Sequence, residues 1–573
     1  MTNILGLNAF GFNTASAILV DGQCVFAVEE ERLVRDKRTR RFPVQGIRQG
    51  LAHAGLSFED VDTVAIAWNP AVNLEVHAAA QSARPRYLPE MFYSVPSHLM
   101  TLGHKDTEVV GARQSIDFAD GREIAIDYVN HHTAHAGSFF VSEFDEAAIL
   151  TVDAFGEKNC ISFAHGTGNR LETLWTQDFP HALGSFYSAM TDYCGFAPQN
   201  DEWKLMGASS YGDDARFYKE LRALFRLDDE RGFALDIERF NFHQFHRPGF
   251  YNNGLVGTIG IPPNGRDVPL TQEYYDLAAS AQRVAEEVYL HLLRQLHAQT
   301  KLKNVVIAGG VALNCVANGK VVADTPFENL FVPPVPDDSG GSLGAACYVH
   351  CHVNGGDRNY VMRSNYLGPG FNDAEIAEAL RKYKVRHVHL DNPAVTAAGL
   401  IQEGNIIGWF QGRLEFGDRA LGNRSILADP RVPEMKDRVN DTIKYREPFR
   451  PFAPAMLAEA VDDWFEGASP TPFMEKAFTI REARRAAIPA VTHVDGTGRL
   501  QTVSADQNPL FHDLISAFER ATGVPIVLNT SFNLKGEPIV CTPEDAIRTF
   551  YSCGLDALIV GNFLIQKEAD TAS

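Results

Sequence analysis

One strand–turn–strand unit occurs twice in this chain. Ile4-Leu5-Gly6-Leu7-Asn8 reads as an apolar strand, and after a small-residue turn Ala15-Ser16-Ala17-Ile18-Leu19-Val20 runs to Asp21-Gly22 and returns as Gln23-Cys24-Val25-Phe26-Ala27-Val28. Asp-Gly between two apolar runs signals a hairpin, because both residues tolerate the positive φ that a two-residue turn demands. The pattern returns where Ala147-Ala148-Ile149-Leu150-Thr151-Val152-Asp153 leads through a polar turn to Cys160-Ile161-Ser162-Phe163-Ala164. Two such hairpins, each opening one half of a region of about 350 residues, predict a duplicated α/β domain with a nucleotide cleft between its halves.

That is the arrangement of the actin, sugar-kinase and heat-shock-chaperone ATPases. Leu277, Ala281, Val284, Val288 and Leu292 mark one face of a long amphipathic helix. The strand Val305-Val306-Ile307 then ends in Gly309-Gly310, and Ala312-Leu313-Asn314 opens another helix. At 573 residues the chain exceeds what one hydrophobic core serves. A break at Gly355-Gly356-Asp357-Arg358, followed by Gly368-Pro369-Gly370, places a domain boundary near residue 360, dividing 1–357 from 358–573. Beyond it, helical stretches at 373–383 and 393–403 alternate with short strands at 406–410 and 526–529, so the second domain is also α/β.

Asn130-His131-His132-Thr133-Ala134-His135-Ala136 opens a helix of small residues, on which His131 and His135 share one face a turn apart. Asp153 ends the strand that follows, and Asp338 stands in Pro336-Asp337-Asp338-Ser339-Gly340 before a helix, both places where α/β ligand sites form. A His-x-x-x-His pair alone is more often a packing feature than a ligand set, and the two aspartates move the balance toward a ligand set. Two imidazoles and two carboxylates without a thiol suit a first-row ion such as iron(II), manganese or zinc. Cys347, His350, Cys351 and His352 match no zinc spacing and read as the packed end of an Ala-rich helix.

The eight cysteines show no framework spacing and read as reduced thiols. The chain has no bilayer-length apolar run, and Met1-Thr2-Asn3-Ile4-Leu5-Gly6-Leu7 lacks a signal peptide's basic flank, so a cytoplasmic protein without a membrane partner is expected. A net charge of -20 argues against a nucleic-acid partner and reads as solubility rather than as a cationic substrate.

In their order and spacing these residues resemble the O-carbamoyltransferase family, whose members act on antibiotics such as tobramycin, novobiocin and cephamycins and on rhizobial nodulation factors. The match runs nearly the whole chain: Leu5-Gly6-Leu7-Asn8, Glu29-Glu30-Glu31-Arg32, the His131/His135 helix, Lys204-Leu205-Met206-Gly207, Gly309 to Asn314, Gly417 to Ser425, Arg450-Pro451-Phe452-Ala453-Pro454 and Asn529-Thr530-Ser531-Phe532-Asn533. The resemblance implies a duplicated ATPase-fold domain like the metal-binding subunit of the tRNA threonylcarbamoyl-adenosine machinery, followed by a YrdC-like α/β domain. It also implies Fe(II), or another divalent first-row ion, at His131, His135, Asp153 and Asp338. One position departs from the pattern: where the family usually reads Phe-His-Asp, this chain has Phe12-Asn13-Thr14, with Asn13 in place of the histidine.

The second domain carries Arg419, Arg424, Lys444, Arg446, Arg450 and Arg499, and guanidinium groups grip phosphate oxygens bidentately. Gly417 and Gly422 give Arg419 the backbone freedom that close phosphate approach needs, whereas Arg431 and Arg438 stand beside acids and read as surface pairs. By the resemblance, Arg419, Lys444, Arg450 and Arg499, with Asn529 and Ser531, hold ATP with Mg²⁺ and carbamoyl phosphate. The Gly309-Gly310 turn with Asn314 holds adenosine in the first domain, where Lys37 or Lys204 contacts phosphate and Lys37 counts among the catalytic groups. Carbamoyl adenylate made from ATP and carbamoyl phosphate then passes its carbamoyl group to a hydroxyl of a small molecule, a natural product or a glycan. His132, one residue round the helix from the ligand pair, reads as packing or outer-shell hydrogen bonding rather than as the base. Acceptor contacts are expected in 69–120 and in the aromatic stretch 240–251. A homodimer is compatible with this reading. Two other readings share parts of it: a threonylcarbamoyl or hydrogenase-maturation carbamoyltransferase, and a non-catalytic ATP-binding regulator of the actin superfamily, which has no use for the metal set.

Overall fold

The computed structural model describes residues 2–9, 13–69, 111–117, 123–244, 249–266 and 268–567. Of the stretches expected to meet the acceptor, residues 70–110, 118–120 and 245–248 lie outside the described residues. Packing divides the chain into a first unit, Met1–Val25 with Arg40–Met362, and a second, Phe26–Thr39 with Arg363–Ser573.

The first unit holds two mixed sheets. Strands β1 (Asn3–Asn8), β2 (Ala15–Val20), β3 (Gln23–Glu29), β4 (Thr63–Ile66), β5 (Gly111–Asp117) and β6 (Glu123–Val129) are ordered β3-β2-β1-β4-β6-β5. After β7 (Glu146–Val152), β8 (Asn159–Thr167) and β9 (Arg170–Asp178) comes a separate small hairpin, β10 (Phe225–Leu227) with β11 (Phe233–Leu235). The chain then returns as β12 (Asn304–Ala308) and β13 (Asn329–Phe331), giving a second sheet ordered β13-β12-β7-β8-β9. Each sheet starts as an antiparallel meander and grows outward from its first strand by parallel pairing, β1 to β4 to β6 in one and β7 to β12 to β13 in the other. The duplicated α/β architecture expected from the two hairpins is therefore present. Asp21 and Gly22 turn the first hairpin with φ of 48° and 79°, the conformation that selects this pair. The first sheet's second hairpin strand, β2, and the central strand β7 are buried almost throughout, as strands covered on both faces must be. The long helix Gln272–Thr300 buries Leu277, Ala281, Val284, Val288 and Leu292 completely.

Small residues decide where the histidine helix lies. The helix His131–Ala136 crosses the helix Gly341–Tyr348 with backbone touching backbone. A Cβ on Gly137 would lie 2.2 Å from the carbonyl oxygen of Gly344, and one on Gly344 would lie 1.9 Å from that of Ala134. Gly6 of β1 approaches the same helix, since its Cβ would sit 2.0 Å from the Ser342 carbonyl oxygen. Three glycines thus let a strand and two helices meet at the point where the aspartate loop begins.

The second unit is built on one eight-stranded mixed sheet. Its strands are β14 (Val388–His389), β15 (Ile407–Phe410), β16 (Arg424–Ala428), β17 (Ala453–Leu457), β20 (Gln501–Val503), β21 (Ile526–Ser531), β22 (Ala557–Val560) and β23 (Phe563–Gln566), while β18 (Ala477–Thr479) and β19 (Thr497–Arg499) pair apart from it. The sheet order is β14-β23-β22-β15-β16-β21-β17-β20. Helices Pro393–Gln402 and Pro509–Thr522 both start with an asparagine cap followed by proline, a pairing suited to a helix's first turn. Residues 26–39, which the sequence alone groups with the N-terminal region, form part of this unit. Their main chain joins it where Ala27 N–H donates to Leu367 O at 3.2 Å, and the guanidinium of Arg35 donates to the carbonyls of Ile539 and, at 2.9 Å, Pro538. All eight cysteines are free and buried, and among the described residues no helix is long and apolar enough to cross a membrane.

Replacing Gly344 by alanine forces the two crossing helices apart. The expected loss is about 1–3 kcal/mol, read as a lowered midpoint of thermal unfolding.

Candidate metal and phosphate sites

His131 and His135 project from their helix so that their Nε2 atoms lie 3.1 Å apart. Asp153, just past the end of β7, brings Oδ2 to 3.7 Å from His131 Nε2 and 3.4 Å from His135 Nε2. Asp338, on a short turn ahead of the helix Gly341–Tyr348, brings Oδ1 to 3.5 Å and 3.8 Å from the same two nitrogens. Among the described residues these four form the group of His, Cys, Asp and Glu side chains able to share an ion, with ligand atoms all within 4.8 Å of one another. Cys347, His350, Cys351 and His352 make no such group.

The donor set fits a divalent first-row ion. An ion roughly 2.1 Å from each of four N and O donors holds neighbouring donors about 3–4 Å apart, the spacing found here. The electrostatics point the same way. Burial opposes charge on His135, yet hydrogen bonds to Asp153 and Asp338 outweigh it and push the imidazole up to about 10. Burial works equally against the Asp153 carboxylate, but His131 and His135 hold it well below the usual carboxylate range. The pocket therefore stabilises positive charge between two carboxylates, which is what a bound cation requires.

Each ligand is fixed from outside. Glu157, itself buried, accepts hydrogen bonds from the N–H of His131 at 2.8 Å and from that of Asn69 at 2.6 Å, so a carboxylate caps the histidine helix whose own Asn130 makes no side-chain cap. Asp153 accepts from Ala154 N–H at 2.7 Å and from Gly310 N–H at 3.1 Å. That second bond needs the glycine turn: Gly309 has φ 95°, and a Cβ there would lie 2.3 Å from the Val152 carbonyl oxygen. Asn13 reaches the Asp338 loop by donating to Asp337 Oδ2 at 2.9 Å. His132 turns away, its Nδ1 3.3 Å from Ser162 Oγ, and burial drives its imidazole well below the usual histidine range, which suits a neutral packed ring. Asn314 caps the helix Cys315–Asp324 and exchanges two 3.0 Å hydrogen bonds with Gln282. Lys204 pairs with Asp201 at 3.0 Å beside the rings of Phe196 and Trp203.

In the second unit the cations gather. Lys444 is buried, its Nζ donating to the Ser531 carbonyl, to Asn533 Oδ1 at 2.9 Å and to Asn533 O at 3.1 Å. Burial, and then the charges of Arg446, Arg450 and Lys37, pull it well below the usual lysine range. Arg446 stacks on Phe452 at 4.4 Å and donates Nε–H to Asn440 Oδ1 at 2.7 Å, while burial and then the charges of Arg450 and Arg499 depress its guanidinium. Lys37, from the segment 26–39, is likewise lowered chiefly by burial. Lys444, Arg446, Arg450, Arg499 and Lys37 therefore lie in one another's field, an arrangement that an anion with several negative oxygens relieves. Asn529 ties the Arg419 loop to the sheet, donating to Ala420 O at 3.1 Å and to Gln501 Oε1 at 2.7 Å. Gly417 and Gly422 in that loop have φ of 128° and 107°.

Arg424 parts company with the other arginines. It is fully buried against Phe410 at 3.6 Å, and its two terminal nitrogens donate to the carbonyls of Gln411, Asn423, Gly412 and Pro369, so it reads as a structural cation enclosed by main chain. Sequence reasoning missed the acids that hold the Arg419 loop. Glu415 Oε1 accepts from the N–H groups of Leu421 and Asn423, both at 2.8 Å. Glu29 accepts from Gly417 N–H at 2.9 Å, and Arg32 donates to Gly417 O at 2.9 Å. The only signal in the sequence was the Glu29-Glu30-Glu31-Arg32 run, whose charge by itself suggests a solvated face.

The chain matches the family model of the carbamoyltransferase N-terminus over residues 3–347 and that of the carbamoyltransferase C-terminus over residues 398–567. It is 38% identical over 600 residues to the uncharacterized protein sll1178 of Synechocystis, covering 99% of this chain and 97% of that one. It is 37% identical over 574 residues to the nodulation protein NolNO of Sinorhizobium fredii, covering 98% and 80% of the two chains. To the nodulation protein NolO of Bradyrhizobium diazoefficiens it is 39% identical over 446 residues, covering 77% and 79%.

Inorganic pyrophosphate tests the cation cluster without any reaction. At 100 times its dissociation constant it is expected to stabilise the native protein by about 2.7 kcal/mol, seen as an upward shift in scanning calorimetry. Lys444→Met is expected to remove most of that shift, and Arg431→Ala to leave it in place.

Proposed function

The chain belongs to the carbamoyltransferase family, and from that membership we propose that it is an ATP-dependent O-carbamoyltransferase that makes carbamoyl adenylate in its second unit and uses it in its first. The observation that carries the reading is the four-ligand set His131, His135, Asp153 and Asp338 in a duplicated α/β unit, matched by a cluster of cations in the other unit. Overall, ATP, carbamoyl phosphate and water give carbamoyl adenylate, pyrophosphate and phosphate. The acceptor oxygen then bonds to the carbamoyl carbon, AMP leaves, and the hydroxyl proton is lost.

Each group has a task in this scheme. Arg419, Arg450 and Arg499 grip phosphate oxygens in pairs, Lys444 and Lys37 add point charge, and Asn529 and Ser531 orient the bound phosphates. Arg446, held by its stack on Phe452 and its bond to Asn440, belongs to the same set. In the first unit, the Gly309-Gly310 turn and Asn314 hold the adenosine of the adenylate, with Lys204 toward its phosphate. An iron(II) ion on the four ligands would polarise the carbamoyl carbonyl for attack. His131 and His135 serve as neutral donors there, with Glu157 keeping their helix in place. The acceptor is a hydroxyl of a small molecule, a natural product or a glycan, and the need for ATP and carbamoyl phosphate places the reaction in the cytoplasm.

The reading divides into two measurable half-reactions. With ATP, carbamoyl phosphate and Fe(II), the enzyme is expected to release AMP when a suitable acceptor is present, and a mass screen of hydroxylated metabolites should show one product gaining a single carbamoyl group. Arg499→Ala is expected to slow adenylate formation by about 100-fold or more. His135→Ala should leave adenylate formation intact while abolishing transfer and lowering bound metal from one ion per chain toward none. Failure of AMP to form with any acceptor would overturn the proposal, and transfer persisting in metal-free His135→Ala protein would remove the ion from it.

A further inference from the structure

The four ligands are not equally secured. The side chains of His131, His135 and Asp153 are 4%, 1% and 11% exposed, whereas that of Asp338 is 30% exposed. Asp338 also sits on a three-residue turn, Asp338–Gly340, rather than within a helix or strand. A carboxylate so placed has rotamers open to it that the others lack, and something must hold its loop if it is to meet an ion in a fixed position.

Asn13 touches the chain on both sides of that ligand. Its Nδ2 donates to Asp337 Oδ2 at 2.9 Å, and its carbonyl oxygen accepts from Ser339 Oγ at 3.0 Å. The same carbonyl accepts from Asn8 Nδ2 at 3.0 Å, which ties the arrangement to the end of β1. Ser339 is buried and its own carbonyl takes a 2.7 Å hydrogen bond from Ser342 Oγ, so the second anchor is itself fixed to the helix Gly341–Tyr348. Asn13 has φ 52°, a left-handed conformation that asparagine adopts more readily than most residues. That conformation lets one residue present its side-chain amide to position 337 and its carbonyl to position 339.

We infer that Asn13 is the positioning residue of Asp338: it clamps both neighbours of the ligand and sets where the carboxylate meets the ion. The inference rests on the four-ligand set of the proposed function and adds to it the group that completes its weakest corner. A histidine here could also adopt left-handed backbone and offer a ring N–H to the same loop.

The test measures metal, not turnover. Asn13→Gly keeps the left-handed backbone and both bonds to the carbonyl and deletes only the side-chain donor. Its Mn(II) dissociation constant, from competition with a chelating dye, is expected to rise about 10–100-fold, with the melting temperature of the metal-free protein little changed. Asn13→Asp, which sets a carboxylate against Asp337, should weaken binding at least as much, and Asn13→His should restore it to within a few-fold of wild type. The visible spectrum of the Co(II) protein reports ligand geometry independently and should change in Asn13→Gly and return in Asn13→His. Wild-type affinity and an unaltered Co(II) spectrum in Asn13→Gly and Asn13→Asp would overturn the clamp while leaving the four-ligand set standing. Absence of Mn(II) and Co(II) binding by the wild-type protein would overturn both.

Discussion

Two helices whose backbones touch decide the geometry of the first unit. Because Gly137 and Gly344 leave no side chain between them, the histidine helix and the helix behind the Asp338 loop approach as closely as main chains permit. The two imidazoles on one helix and the carboxylate ahead of the other then fall within a few ångströms. Asp153 joins them from the end of a central strand, held by the Gly310 amide on the neighbouring strand's turn. Four side chains from three separate stretches of chain thus converge because of what is missing at three glycines as much as because of what is present.

Much of this was legible in the sequence, and the reasons are physical. The hairpin at Asp21-Gly22 and the apolar run ending at Asp153 are short-range patterns with one good structural solution each, and their repetition exposed the duplication of the sheets. The face of the helix Gln272–Thr300 followed from its 3.6-residue period. His131 and His135 could be paired because helical spacing is local. What escaped was whatever depends on distant chain segments. Glu157 caps a helix that precedes it by 26 residues, and no local pattern announces that bond. Arg424 looked like its neighbouring arginines, because composition does not reveal whether a guanidinium faces phosphate or is enclosed by carbonyls. The run at Glu29 to Arg32 helped carry the family resemblance, but its partners are equally distant: three of its charges engage the Arg419 loop and one another.

The two units solve opposite electrostatic problems. In the first, a buried carboxylate, Asp153, and a half-buried one, Asp338, must be kept from repelling one another, and the imidazoles of His131 and His135 stand between them. In the second, Lys444 and Arg446 are held near one another by supports that carry no negative charge: the carbonyls of Ser531 and Asn533 for Lys444, and a ring and an amide oxygen for Arg446. Neutral supports leave the field intact, and that field is available for a ligand of opposite sign.

The membership of Phe26–Thr39 in the second unit imposes an order on the making of the protein. This segment precedes the rest of its unit, which resumes at Arg363, by the whole of Arg40–Met362. At ordinary rates of synthesis it waits on the order of tens of seconds for its partners. Glu29, Glu30, Glu31, Arg32, Arg35, Asp36, Lys37 and Arg38 give the segment a charged character suited to water until the rest arrives. The same split means that the second unit is not a detachable tail. A chain beginning at Arg363 would lack Glu29 and Arg32, the residues that grip Gly417.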